Sequence, residues 1–370
     1  MKVVISGGGT GGHVFPAIAI ADAIRRQLPA AEILFVGARG KLEMEKVPAA
    51  GYRIIGLDIA GMQRKLTLKN LVLPVKILKS LLQARKVVSD FKPDIAVGVG
   101  GYASGPLLKV CSWMGVPYVL QEQNSYAGVT NKILGKKAQR IFVAYEGMQR
   151  FFDETKIQWT GNPVRAEIAQ SNLTTEEARA KIGVDTNKKT TLVFGGSLGA
   201  RTLNDAIAAN KAWIEANQDI QFIWQVGKLY YNEFKESSVA ELPNVKVLPF
   251  IEDMATAYKA SDVVVCRAGA LTISELALVG NPSILVPSPN VAEDHQTHNA
   301  MSLVKHGAAL MVKDVEARDQ LMPQLAALIR DEEKQKTLTS HLKALGKADA
   351  ADVIAREIIN IANQYKVNKA

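Results

Sequence analysis

Three times along this chain a short apolar run empties into a cluster of glycines and then into a stretch with helical periodicity. Lys2 to Ser6 leads into Gly7-Gly-Gly-Thr-Gly-Gly-His13 and a helix with Pro16 in its first turn and apolar Ile20, Ile24 and Leu28. Asp94 to Val99 leads into Gly100-Gly-Tyr-Ala-Ser-Gly105, and Pro106 opens the next helix. Thr190 to Phe194 leads into Gly195-Gly-Ser-Leu-Gly199, with Asn204 to Trp213 as part of the following helix. Unbroken apolar runs this short are strands buried on both faces, which a parallel sheet under two layers of helices requires. Because the pattern restarts at Thr190, the chain is expected to hold two Rossmann-like parallel-sheet halves of the α/β class. Each strand-to-helix junction leaves backbone N–H groups at the positive end of a helix dipole, where a ligand phosphate is favoured.

The richest such junction lies in the second half. Val263 to Cys266 reads as a strand, Arg267 to Ala270 as a tight turn of small residues, and Leu271 to Val279 as a helix stopped by Gly280 and Pro282. Glu275 sits about one turn into that helix, where its carboxylate can accept hydrogen bonds from the two vicinal hydroxyls of a ribose. It is read as an exposed residue that carries little packing. A second strand, Ser283 to Val286, and a loop from Pro287 lead to Asp294-His-Gln-Thr-His-Asn299, a polar run suited to sugar hydroxyls. Asp294, His295 and His298 imitate metal-ligand spacing, but no further His or Cys cluster supplies the missing ligands, so no metal is expected.

In the first half, His13 follows two glycines at a helix N-terminus, a place that disfavours the imidazolium and leaves a ring able to take a proton. The strand Pro117 to Leu120 ends in Gln121-Glu-Gln-Asn124, and ligands bind at the carboxyl ends of such strands, so Glu122 and Asn124 are expected to face the same cleft as His13. Gly7, Gly9 and Gly12 also match the dinucleotide pattern G-x-G-x-x-G. The second strand, however, ends in Gly37-Ala38-Arg39 where an NAD site wants an acidic residue; Arg39 suits only NADP. Trp159 to Arg165 reads as a linker.

Two cysteines in apolar surroundings, Cys111 and Cys266, point to a reducing compartment rather than a disulfide framework. No signal-peptide core and no run of membrane-spanning length is read, so the protein is expected in the cytoplasm or on a membrane surface. The net charge of +9 is uneven: residues 1–163 hold 22 Lys and Arg against 11 Asp and Glu, and the remainder is slightly acidic. Between Ile59 and Ser89 stand Arg64, Lys65, Lys69, Lys76, Lys79, Arg85 and Lys86 without one carboxylate. Leu68, Leu71, Val72, Val75, Leu78 and Leu82 recur through this stretch at helical spacing, with Pro74 expected to kink or split it. Cations with interleaved apolar groups and no aromatic residue fit anionic lipid better than nucleic acid.

Six motifs in order, Gly8-Gly-Thr-Gly-Gly-His13, Gly100-Gly-Tyr102, Glu122-Gln-Asn124, Gly161-Asn-Pro-Val-Arg165, Gly195-Gly-Ser197 and Ala270-Leu-Thr-Ile-Ser-Glu275, resemble the MurG family. These are the N-acetylglucosaminyltransferases that complete the lipid-linked disaccharide of peptidoglycan. The resemblance covers the whole chain. It implies a GT-B fold, two Rossmann-like domains facing a cleft, with an N-terminal domain over residues 1–162, a donor domain over 163–345, and a C-terminal helix, 346–370, packing back on the first. It further implies uridine on the backbone of Ile251 and ribose on Glu275. The donor's phosphates and sugar would meet Thr10, Gly11, Gly12, Arg165, Ser197, the turn of Ala270, Leu271 and Thr272, and Gln296, with Asn124 on a sugar. Catalysis would fall to His13, Glu122 and Asn124, without a cofactor, on UDP-N-acetylglucosamine and an undecaprenyl-diphosphate-linked acceptor at the cytoplasmic face of the plasma membrane. Gln121 stands where many members carry a histidine, and the run from Asp294 departs from members with two adjacent glutamines. A UDP-N-acetylglucosamine 2-epimerase of the same fold, an NADP oxidoreductase and a non-catalytic nucleotide sensor are the other readings.

Overall fold

The computed structural model describes residues 1–59, 73–165, 168 and 172–367. The chain divides into two compact units, Met1–Arg165 with Ala348–Ala370, and Ala166–Lys347. Unit 1 runs β1 (Lys2–Gly7), α1 (Gly11–Gln27), β2 (Glu32–Ala38), α2 (Glu43–Ala49), β3 (Arg53–Leu57), α3 (Leu73–Phe91), β4 (Ile95–Gly100), α4 (Ser104–Trp113), β5 (Tyr118–Glu122), α5 (Val129–Gly135), β6 (Arg140–Val143) and β7 (Ile157–Trp159). Its strands form one parallel sheet in the order β3-β2-β1-β4-β5-β6-β7. Side chains alternate across the pleat. Val3, Ile5, Val97 and Phe142 therefore pack in one cluster with α1 and the C-terminal helix, while Val4, Val36, Leu120 and Ile141 pack in another with α3, α4 and α5.

Unit 2 runs α6 (Thr175–Ile182), β8 (Lys189–Phe194), α7 (Arg201–Ala208), α8 (Lys211–Ala216), β9 (Ile220–Gln225), α9 (Tyr231–Phe234), β10 (Val245–Leu248), α10 (Met254–Ala260), β11 (Val263–Cys266), α11 (Ala270–Val279), β12 (Ser283–Leu285), α12 (His295–Val304), β13 (Leu310–Met311), α13 (Ala317–Arg330) and α14 (Glu332–Leu345). Its parallel sheet has the order β10-β9-β8-β11-β12-β13. A final helix, α15 (Ala350–Val367), belongs to unit 1 and lies along α1, burying Ile354, Ala355, Ile358 and Ala362 in the same cluster as Ile20 and Ile24. Arg26 to Asp352 at 2.7 Å and Arg140 to Glu357 at 3.4 Å hold it from the polar side.

Two local readings need correction. The single helix expected across Asn204 to Trp213 is two, because the chain breaks at Ala209 and Asn210, whose side-chain amide donates to Ala206 O at 2.8 Å. Pro74 is the second residue of the described part of α3, and the stretch before Leu73, where a kink or split was expected, lies outside the described residues. The apolar stripe Val75, Leu78 and Leu82 faces solvent, at 64%, 60% and 61% exposed, while Ser80, Ala84, Val87 and Val88 take the buried side. Leu68, Leu71 and Val72 of that stripe, with Arg64, Lys65 and Lys69, fall outside the described residues.

Candidate active site

In unit 1 the residues singled out from the sequence gather at the carboxyl ends of the strands. After β1 the loop turns at Gly9, φ +87°, and α1 begins with Thr10 as N-cap and no acidic side chain in its first turn. Thr10 makes no side-chain cap; its Oγ1 lies 3.2 Å from His13 Nδ1. His13 is half-buried, with its ring against Gly100 at the end of β4. A Cβ at Gly100 would stand 2.6 Å from the ring's Cδ2, and φ there is +96°, so this position has to be glycine on both counts.

Beneath the loop sits a residue that the sequence reading passed over. Glu43, 1% exposed, accepts Gly9 N–H at 2.7 Å and Ala38 N–H at 2.9 Å, and its carboxylate fills the space that a side chain on Gly8 would need. Two charge-assisted bonds to backbone therefore fix the loop that carries Thr10 and His13. They also occupy the Gly9 amide that a dinucleotide's diphosphate would use, and Arg39 is paired with Asp58 at 2.7 Å, so neither feature of the NADP reading is available. Nothing local in Lys41-Leu-Glu-Met marks Glu43, because its partners are set by the fold.

Gln121 to Asn124 depart from the expectation in detail. Glu122 is 2% exposed and turned into its own loop, accepting from Asn124 N–H at 3.1 Å, Asn124 Nδ2 at 3.3 Å, Gly128 N–H at 3.0 Å and Asn131 Nδ2 at 2.9 Å. Burial pushes its carboxyl above the usual range and these four donors oppose that shift. Glu122 thus shapes the loop and does not open on a cleft, whereas Asn124 is half-buried. Gln121, fully buried, donates to Asn162 Oδ1 at 2.9 Å; Asn162 donates to Gln123 O at 3.1 Å, and Gln123 donates to Gln121 Oε1 and to Val99 O. This closed ring of amides is what stands in place of the histidine. Arg165, three residues past Asn162, lays its guanidinium 4.8 Å over the Phe15 ring of α1 and keeps a buried Nε with no hydrogen-bond partner among the described residues.

Unit 2 gathers its own set at its strand ends. Ser197 is exposed at the tip of the loop after β8, and Ile251 follows β10. Ala270, Leu271 and Thr272 form the first turn of α11, whose N-cap Gly269 offers no capping side chain. Arg267, in contrast, points inward: it donates to Val286 O at 3.0 Å and Pro287 O at 3.2 Å and pairs with Asp314, tying down the loop after β12. Gln296, half-buried on α12, accepts Ser288 N–H at 2.8 Å and so also holds that loop. Glu275 is not the exposed residue expected. It is 6% exposed and accepts from Tyr258 Oη at 2.9 Å.

Among the described residues no group of three or more His, Cys, Asp and Glu is arranged to hold a metal ion, and no helix is long and apolar enough to cross a membrane. A cavity of about 530 Å³ lies beside α3, lined in part by Lys2, Arg53, Ile55, Lys86 and Phe91, and contains none of the residues assigned to catalysis or donor binding. Large apolar side chains are also exposed at Trp113 on α4, Met114 just beyond it, and Val129 and Ile133 on α5, the helices that follow α3 on the same face of the sheet.

The model of the glycosyltransferase family 28 N-terminal domain matches residues 3–143, and that of the family's C-terminal domain matches residues 190–354. A protein of Phocaeicola vulgatus is 53% identical over 368 residues, 99% of this chain and 98% of the relative, and one of Flavobacterium psychrophilum is 48% identical over 365 residues, 99% of each. Both are named UDP-N-acetylglucosamine–N-acetylmuramyl-(pentapeptide) pyrophosphoryl-undecaprenol N-acetylglucosamine transferase. The crystal structure of Acinetobacter baumannii MurG matches with a TM-score of 0.74 at 28% identity, covering 97% of this chain and 99% of that one. A Neisseria meningitidis UDP-GlcNAc 2-epimerase bound to UDP-GlcNAc matches at 0.70 and 14% identity, over 97% of this chain and all of the other, a likeness of fold alone.

Proposed function

We propose, since the chain belongs to glycosyltransferase family 28, that it moves N-acetylglucosamine from UDP-N-acetylglucosamine to the N-acetylmuramyl sugar of an undecaprenyl-diphosphate-linked precursor, converting lipid I to lipid II. The observation that carries this is the identity of about half, end to end, with relatives of that stated activity. It is a hexosyltransferase, and neither the epimerase nor the oxidoreductase reading has comparable support.

The work divides between residues already placed. With Nδ1–H donated to Thr10 Oγ1, His13 presents Nε2 as a base. Nε2 takes the proton of the acceptor's 4-hydroxyl as that oxygen bonds to the anomeric carbon, and the bond from that carbon to the UDP diphosphate breaks on the opposite face, inverting the centre. The leaving diphosphate takes the electron pair. The uncapped first turn of α11 and Ser197 favour that charge. Ile251 offers backbone to uracil, Glu275 takes the ribose hydroxyls, and Gln296 and Asn124 serve the sugars. Glu122 acts as a positioning residue that holds Asn124.

The acceptor is a membrane lipid, and a peripheral place on the cytoplasmic leaflet follows as part of the same proposal. It is supported by the apolar side chains that α3, α4 and α5 turn to solvent among cations. A single-turnover assay with radiolabelled UDP-N-acetylglucosamine and a lipid I analogue tests the reaction. Labelled disaccharide lipid is expected; release of free sugar or epimer without lipid product would refute it.

A further inference from the structure

Glu275 poses a question that its assigned role does not answer. A carboxylate 6% exposed, beside the buried sulfur of Cys266, is costly unless something donates to it. It stands in the second turn of α11, and helical side chains lean toward the N-terminus of their helix, so the carboxylate reaches back toward the first turn where the donor is to sit. Its orientation there decides which lone pairs a ribose can use.

Tyr258 on α10 is built to set that orientation. It is 1% exposed, and its ring stands edge-on to Phe194 at the end of β8, 6.1 Å between centroids and 72° between planes. Its backbone is pinned as well, since Asn281 beyond α11 donates to Tyr258 O at 3.0 Å and to Ser261 O at 2.7 Å. The phenol hydroxyl donates to Glu275 Oε2 at 2.9 Å. Ring and backbone are both fixed by other contacts, so the hydroxyl is a fixed point and the carboxylate is the partner that adjusts.

We propose that Tyr258 is the positioning residue that aims Glu275, and thereby makes the donor site selective for a ribose over a 2′-deoxyribose. This rests on the assignment of Glu275 to the ribose. With one oxygen held by the phenol, the carboxylate keeps a single rotamer in which the vicinal diol is met by fixed acceptors. Without the phenol it can turn, or meet the diol through one oxygen, and the hydroxyl contributed by ribose gains less.

The test is titration calorimetry of UDP and 2′-deoxy-UDP on the full chain, as wild type, Tyr258→Phe and Glu275→Ala, with thermal unfolding of each. Wild type is expected to prefer UDP by about tenfold, the worth of a hydrogen bond to a charged acceptor. Glu275→Ala should abolish the preference. Tyr258→Phe, which removes one oxygen from a ring whose packing stays, should cut the preference to about threefold or less while 2′-deoxy-UDP binding hardly changes, the expected share of a single aligned bond. Equal weakening of both nucleotides in Tyr258→Phe would mean a merely structural tyrosine and overturn the proposal. A preference that survives Glu275→Ala would instead remove the ribose assignment, and the proposal with it.

Discussion

His13 is legible from the sequence because it follows two glycines into a helix, but what holds it is not. Its ring rests on Gly100 and its Nδ1 on Thr10, and the loop below is fixed by Glu43, contacts brought together only when β1, β2 and β4 pair. His13→Ala is expected to lower kcat by about 10²–10⁴, the usual cost of losing a general base, and to leave UDP affinity in calorimetry unchanged. Normal turnover with weak UDP binding would make His13 a ligand-positioning group. Gly100→Ala tests the support: its Cβ would push on the ring and its φ of +96° is strained for any side chain. A fall in kcat together with a loss of about 1 kcal/mol or more in urea unfolding is expected. Unchanged kcat would show that the ring's placement against Gly100 does not matter to turnover. Glu122 and Glu275 show the converse limit: both are picked out by position at a strand or helix end, and in both the sequence reading of an open side chain is wrong, because burial depends on Asn131 and Tyr258 arriving from other elements.

Among the elements, strands and glycine turns were readable because short apolar runs and φ-positive glycines carry their own local signal. Helix ends held by side chains were readable less often. Asp253 is such a case, lying beside Ile251 at the start of α10, the helix that carries Tyr258. Its carboxylate accepts Thr256 N–H at 3.0 Å and the Lys181 ammonium at 2.8 Å. The ammonium first, and Thr256 second, hold its pKa down to about 2 from 3.8. A carboxyl whose folded pKa is depressed adds stability above its unfolded value and loses it as pH falls through the folded one. Asp253→Ala should therefore cost about 1 kcal/mol at neutral pH, the worth of an N-cap, and UDP affinity should fall with it as α10 frays. The gap between variant and wild type should close as pH drops from about 4 to about 2. Urea unfolding across that range checks it, and a gap independent of pH would place the effect elsewhere than on the ionised cap. The break at Asn210 was missed for the same reason: an asparagine amide that bonds back to Ala206 O ends a helix without disturbing its apolar spacing.

At the scale of the molecule the basic excess of residues 1–163 and the exposed apolar groups of α3, α4 and α5 fall in the same unit, and the proposed docking on the acceptor's membrane rests on the two together. A stripe of Val75, Leu78 and Leu82 on a basic helix has an ordinary explanation, that it packs on the core, and the structure removes it: all three are more than half exposed while the small residues behind them are buried. Trp113 and Ile133, 60% and 65% exposed on α4 and α5, extend the apolar surface across the same face of the sheet. Lys76 and Arg85 are exposed on α3, whereas Lys79 is engaged with Asp58 at 2.8 Å and so is the poorer choice for a charge reversal, since its loss would also break an ion pair between α3 and the end of β3. Each cation near an anionic surface is worth ~1 kcal/mol, and each apolar side chain that enters the interface adds to that. The unmodified protein is therefore expected to co-sediment with vesicles containing anionic lipid at low salt and less so as salt rises. Lys76→Glu with Leu78→Glu and Leu82→Glu should abolish co-sedimentation and transfer to vesicle-borne acceptor, yet keep UDP affinity, because these side chains lie on α3 and none is among the residues assigned to the donor. Binding that persists in the triple variant would move the docking surface to Trp113 and Ile133 alone; wild-type protein that ignores anionic vesicles even at low salt would remove membrane docking from the proposal altogether.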